Sequence, residues 1–476
     1  MKKVRLVLIS LLMFFAVTGC SNEDKNLLDK DDPTTIQVWH YYNGAQQEEF
    51  NRLVDEFNKT VGKEKGIIVE GSGQGTISDL ERNVLDSING KAGAADIPNI
   101  FAAYGDTAYQ VDKLGYAVDL NKYFSKDELS KYVDGYLEEG HFSSKDTLKI
   151  FPVAKSVELF MLNKTDWEKF ANATGASTND LNTIEGVTKV AEQYYNWTDS
   201  LTAAPNDGKA FFGRDAFANY MLVGYRQLAT DIFSKKDNKI VLNFEADIAK
   251  KLWDNYYVPY ISGYFSSSGK FRSDDIKIGN ILACVSSSSS VTYFPKEVIL
   301  NDEESHSIEL ETFACPKFKD GKDYVVQQGA GMVVLKSEEK EQQAAVEFLK
   351  LFTSDKQNIA FSNASGYLPV TKSANDLDKI TDEVEVNESV KKTLNTSLKM
   401  ISDNNMYTSV PFEKGTDARN VLETTMSNLA KQDRETVITN LSNGMNLEQA
   451  ISQFNNDTYF NQWYTNTKSQ LESLIK

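Results

Sequence analysis

Apolar positions in the first part of the chain change period repeatedly, from two to about 3.6 and back. Residues 34–42, TTIQVWHYY, are rich in β-branched and aromatic types and read as a strand. Asn43-Gly44 then offers a helix start, and Phe50, Leu53, Val54, Phe57 and Val61 recur at helical spacing. Residues 66–71, GIIVEG, predict a second strand, and GSGQG leads into a helix whose apolar face carries Ile77, Leu80, Val84, Leu85 and Ile88. Residues 97–104, IPNIFAAY, predict a third strand, followed by a further helical stretch. This alternation predicts an α/β domain with a largely parallel sheet.

From about residue 148 the pattern is richer in helix and in aromatic residues, as in AEQYYNW, FFGRDAFANYMLVGY and LWDNYYVPYISGYF. The apolar run ILACV then meets five consecutive serines, Ser286 to Ser290. Residues 308–318 and 327–337 predict strands, and residues 338–354 predict an amphipathic helix with Ala344, Ala345, Phe348, Leu349 and Phe352 inward. Beyond 372 the pattern is helical with polar connections, and no internal repeat is present.

A chain of 476 residues exceeds one compact core, so two or more domains are expected. The formal charge of −17 excludes phosphate-backbone binding as a main role, since that needs clustered basic residues. The three histidines, His40, His141 and His306, show no metal spacing with one another or with the cysteines, and no cofactor motif is present. GSGQGT at 71–76 has neither the phosphate-loop pattern nor the dinucleotide-binding spacing.

The N-terminus carries Lys2, Lys3 and Arg5, then an apolar run from Leu6 to Val17, then Thr18-Gly19-Cys20. That run is too short for a bilayer, which needs about 20 residues, so residues 1–19 read as a secretion signal. Small residues before Cys20 resemble the lipobox of bacterial lipoproteins, which implies lipidation of Cys20 and attachment to the extracytoplasmic face of the cell membrane, at a Gram-positive cell surface. Residues 20–33 are polar and acidic and read as a tether, able to reach roughly 40 Å when extended. An exported setting permits a Cys284–Cys315 disulfide, while their apolar surroundings equally suit buried free thiols.

Taken in order, the lipobox, IQVWHYYNGAQQEEFNRLVDEFN, IPNIFAAYGDTAYQVDKLGYAVDLNKYF, FPVAKSVELFMLNKTDWEKF, IKIGNILACVSSSSS and QQGAGMVVLKSEEKEQQAAVEFLKLFTSDKQNIAFSNASGYLPV resemble the family-1 extracellular solute-binding proteins of ABC importers, the maltose-binding-protein-like group. The likeness covers most of 34–370. It implies a two-lobed type II periplasmic-binding-protein fold with a ligand cleft between lobes joined by crossing segments near 150–153, 314–317 and 365–368. Lobe one is then expected at 34–150 plus 317–365, and lobe two at 151–316 plus 366–476. The implied function is that of a monomeric receptor, not an enzyme. It captures a mono- or oligosaccharide and delivers it to ABC permease subunits.

Ligands of open α/β sheets lie beyond the carboxyl ends of strands. In lobe one this selects His40, Tyr41, Gln74, Tyr104 and Asp106 as ligand-binding candidates, with Asp106 able either to accept from hydroxyls or to cap the next helix. In lobe two it selects Lys155, Ser156, Arg214, Ser286 and Ser287. Arg214 suits either an anionic ligand or a carboxylate such as Asp215. Gln328 and Gly329 follow the crossing near 314–317, and Tyr367 sits at another. Neutral hydrogen bonds, each worth about 1 kcal/mol net, plus aromatic stacking suit a sugar. An anionic solute such as a sugar acid or glycerol phosphate is the alternative that Arg214 and Lys155 keep open. An exported glycoside hydrolase and a sensory receptor are two others.

Overall fold

A computed structural model describes residues 27–237, 239–383 and 388–476. The secretion signal, Cys20 and the first part of the tether lie outside the described residues.

The first lobe is built on a four-stranded sheet. Thr34–His40 runs between Ile67–Gly73 and Ile100–Ala103, parallel to both, and Gly331–Val334 adds antiparallel to Ile100–Ala103. Ile36 and Val38 alternate with exposed positions and are fully buried, as the period-2 pattern requires. The helices Gly44–Lys59, Ile77–Ile88 and Glu339–Phe352 cover the sheet. Phe50 and Phe57 meet Phe348 edge-on at ring separations of 6.1 and 5.4 Å. The inward set Ala344, Ala345, Phe348, Leu349 and Phe352 is buried as expected.

The second lobe centres on Ser156–Asn163, buried at all eight positions. One edge of this strand pairs with Ala283–Ser287, and the other with Leu310–Ala314 and then Gln327 and Gln328. Its side chains alternate between two cores. Phe160 and Leu162 enter a large aromatic cluster, whereas Val157, Leu159 and Met161 enter a smaller aliphatic one. Two C-terminal helices, Gly415–Ser442 and Asp457–Leu474, close the aromatic side with Leu422, Met426, Phe460 and Trp463. Cys284 and Cys315 are free thiols, one buried and one half-buried.

Three stretches carry the chain between lobes. Phe151 bridges Met332 of the first sheet, and four residues later Lys155 bridges Leu368. Tyr324–Gln328 pairs within the second sheet and Gly331–Val334 within the first, so the chain passes over between Gln328 and Gly331. Gly329 makes that passage at φ 94°, where a Cβ would stand 2.6 Å from the Ala154 carbonyl oxygen. The third passage runs through 366–374: Thr371 bridges Tyr132 of the first lobe and Ala374 packs in the second.

The second passage lies later than the 314–317 expected from sequence. Residues 317–328 stay with the second lobe because Phe318 is buried in its aromatic core and Tyr324–Val326 pairs with Asn405–Tyr407. The proline at 316 follows a strand of the second sheet without leaving that lobe.

Candidate functional site

A cleft of about 520 Å³ opens between the lobes. Its first-lobe wall comes from the opening turns of two helices that follow sheet strands. Ile77, Ser78 and Glu81 come from one, and Tyr104, Gly105 and Asp106 from the other, with Glu139 alongside. The second-lobe wall is one stripe of the long helix, Thr416, Arg419, Asn420 and Glu423, at the i, i+3, i+4, i+7 spacing of a single helical face. Ala418, Leu422 and Met426 turn the other way into the core. Asn219, Gln327, Gln328 and Tyr407 to Ser409 add further polar groups, and Ala216, Leu222, Val326 and Pro411 supply apolar surface.

The walls already touch at Asp106. Asp106 Oδ1 accepts from the Phe412 backbone N–H across the cleft at 3.1 Å. A Cβ on Gly415 would stand 1.9 Å from the same carboxylate oxygen, so only glycine fits there. Burial drives the Asp106 carboxyl up to about 6, opposed by the Phe412 N–H and Arg419 and reinforced by Glu81. Burial also raises Glu81, against a hydrogen bond from Thr107. Among the described residues neither carboxylate forms an ion pair with a lysine, arginine or histidine.

The other charges around the cleft are committed. Arg419 donates to Asn219 Oδ1 at 2.6 Å, Asn219 donates to Glu158 Oε1 at 2.7 Å, and Arg214 donates to Glu158 Oε2 at 2.9 Å. Glu423 accepts from the Phe217 and Ala218 N–H groups, at 2.9 and 2.6 Å, and so caps the Phe217–Leu228 helix. Gln327 donates to the Gly135 carbonyl at 2.9 Å and to Thr408 Oγ1. Its own Oε1, like that of Gln328, is buried without a donor.

Of the residues selected from sequence, the cleft brings together Tyr104, Asp106 and Gln328. Tyr104 is not alone, since its hydroxyl interacts with Tyr41, which also hydrogen-bonds Tyr367. Tyr41 and Tyr367 therefore stand behind the wall as supports. The others lie elsewhere for stated reasons. His40 is 1 % exposed, stacks on Tyr42 at 5.2 Å and accepts from the Tyr42 N–H; burial lowers it to about 4. Gln74 is held by Ser72 and Asn83 within the strand-to-helix turn.

Lys155 is fully buried, donating to Glu139 and, at 3.0 Å, to the Gly329 carbonyl. It ties two of the interlobe passages to a first-lobe residue at the cleft. Arg214 is consumed by Glu158 and lies over the Tyr220 ring at 5.1 Å. The serines satisfy one another. Ser286 donates to Asp215 Oδ2 at 2.7 Å and shares a 2.8 Å hydrogen bond with the Ser290 hydroxyl, while Ser287 bonds Ser156 at 3.1 Å and Ser289 at 2.8 Å. The row folds into a strand end and a tight 3₁₀ turn, Ser288–Tyr293, and none of its hydroxyls lines the cleft.

Sequence reasoning passed over Glu81, Asn219, Arg419, Asn420 and Glu423. All five lie on helix faces rather than at strand ends, and their only signal is a polar stripe opposite an apolar one.

Two lobes around a polar cleft, joined by three passages, define a two-lobed solute-binding protein. Residues 52–388 match the family model described as bacterial extracellular solute-binding protein, and the chain belongs to that family. Among curated proteins no sequence relative matches. In fold the chain is similar to the cyclic α-maltosyl-1,6-maltose binding protein of Arthrobacter globiformis, at TM-score 0.67 and 17 % identity, over 93 % of this chain and 99 % of that one. It is similar also to UgpB of Mycobacterium tuberculosis, solved with glycerophosphocholine, at TM-score 0.68, 15 % identity and 93 % and 100 % coverage. A third is the substrate-binding protein Lmo0181 of Listeria monocytogenes, solved with cycloalternan, at 0.63, 15 %, 93 % and 100 %. Among the described residues no helix is long and apolar enough to cross a membrane.

Proposed function

We propose that the chain is a cell-surface receptor that captures a mono- or oligosaccharide in the interlobe cleft and delivers it to the permease of an ABC importer. It would be anchored through lipid on Cys20, and it would not alter the solute chemically. The observation that carries this reading is the cleft lining. It is dense in neutral amides and hydroxyls, edged by Tyr104 and Tyr407, and contains two buried amide oxygens that lack donors. Each such oxygen costs about 1–3 kcal/mol until a hydroxyl reaches it, which favours a closed, liganded state. Two of the structurally similar proteins are described with maltosyl or cycloalternan ligands, which supports a saccharide.

The anionic alternative rested on Arg214 and Lys155, whose charges are spent on Glu158 and Glu139. The lining carries Glu81, Asp106, Glu139 and Glu423 against Arg419, which repels anions. Thermal-shift screening against a saccharide panel tests the reading, because a solute that binds only the folded state raises Tm by mass action. A rise with at least one saccharide and no turnover of chromogenic glycosides is expected; turnover, or a panel without any shift, overturns it. Cys20→Ala is expected to release the protein from the membrane fraction, and retention there counts against the anchor.

A further inference from the structure

Two carboxylates of the cleft lining, Glu81 and Asp106, form no ion pair with another described residue. Glu81 and Asp106 line the same cleft from the first turns of two first-lobe helices, and the Glu81 charge disfavours that of Asp106. Asp106 has a single backbone N–H from the far wall, and Glu81 a single hydroxyl, that of Thr107. An ionised carboxylate has about four lone-pair sites, so most of their acceptor capacity is unused. Gln327 adds an independent sign: it is 8 % exposed, lines the same cleft, and its Oε1 is buried with no donor.

Arg419 is the cationic side chain of the lining and lowers Asp106 only in part, being held by Asn219 at 2.6 Å. Lys155 is turned into the Glu139 pair. A metal ion is a poor occupant, since among the described residues no group of three His, Cys, Asp or Glu side chains is placed to hold one.

We infer that the solute carries a protonated amino group, seated between Glu81 and Asp106, and is an amino-substituted saccharide. This rests on the carbohydrate reading above. An ammonium has three donors and a positive charge. It can serve both carboxylates and leave one donor for an amide oxygen such as that of Gln327. Charge-assisted hydrogen bonds of this kind are roughly twice as strong as neutral ones. The rest of the sugar keeps the amides of the lining and the rim formed by Tyr104, which is 39 % exposed.

The test is isothermal titration of the purified protein at about pH 7. The probes are glucosamine, glucose, N-acetylglucosamine and glucuronic acid, the matching disaccharides, and choline as a cation without a sugar. Amino sugars are expected to bind about tenfold or more tighter than their hydroxyl and acetylated counterparts. Glu81→Gln and Asp106→Asn are each expected to shrink that preference to about twofold or less, read as the ratio of amino-sugar to neutral-sugar affinity within the same variant. If neutral sugars bind as tightly as amino sugars or more so, this inference fails and the carbohydrate reading stands. If choline binds and no saccharide does, the carbohydrate reading fails and the cation site stands. Binding of no probe at all overturns both.

Discussion

The two walls of the cleft handle charge in opposite ways. On the second-lobe side Arg214 pairs with Glu158, Glu423 accepts from the N–H groups of a helix start, and Arg419 is held by the neutral amide of Asn219. On the first-lobe side Glu81 and Asp106 are half-buried and without a cation, although Glu139 beside them has Lys155. A hydrogen-bonded wall of this kind is rigid and holds its shape without ligand. A wall with unmatched acids gains most when a donor arrives. The second lobe therefore reads as the frame, and the first as the part that senses occupancy.

Breaking the frame should cost most. Lys155→Met leaves Glu139 and the Gly329 carbonyl without their buried cation, so a loss of about 3–5 kcal/mol is expected, visible as a lowered Tm. Arg214→Met should act alike through Glu158. If either were neutral to stability, the matched wall would not be the frame. Gly415→Val would drive a side chain into the Asp106 carboxylate and should prop the lobes apart. Scattering in solution should then show a larger radius of gyration and titration about a hundredfold weaker binding; unchanged values would place the closing contact elsewhere.

An effect of middle size separates the two titrating groups. His40 falls from 6.5 to about 4, so the stability it lends is present above 6.5 and lost as pH drops towards 4. Asp106 rises from 3.8 to about 6, so its contribution is present below 3.8 and lost as pH climbs through 6. The two slopes oppose each other. In Asp106→Asn only the His40 slope remains, so acidification from about pH 7 to 4 should lower stability by about 1–3 kcal/mol more than in the parent. Parallel melting curves for both proteins would contradict this.

The smallest effect is expected from Ser287→Ala, which removes one member of a self-satisfied cluster. It should cost about 1 kcal/mol of stability and leave solute affinity unchanged. Lost affinity would return the serine row to the site.

How much of this was legible beforehand follows from where residues sit. Strand ends announce themselves, because an apolar run stops and a helix begins, and so Tyr104 and Asp106 were found from sequence. Arg419, Asn420 and Glu423 share a helix with Leu422 and Met426, and a polar face on an amphipathic helix looks the same whether it meets water or a ligand. The five serines drew attention because hydroxyls in a row suggest an external partner. Strand pairing instead set Ser287 opposite Glu158 and beside Ser156, where local partners suffice. Lys155 and Arg214 are charged residues after apolar runs, and only the fold shows that Glu139 and Glu158 lie within reach. The passage that the family resemblance implied at 314–317 lies instead between Gln328 and Gly331, where the residue that the turn requires is Gly329.

The most direct test of the account is a crystal structure with the saccharide that gives the largest thermal shift. The account predicts its density between Tyr104–Asp106 and Thr416–Glu423, with a donor on Glu81 or Asp106. Density beside His40 or the Ser286–Ser290 turn, with the interlobe cleft empty, would contradict it.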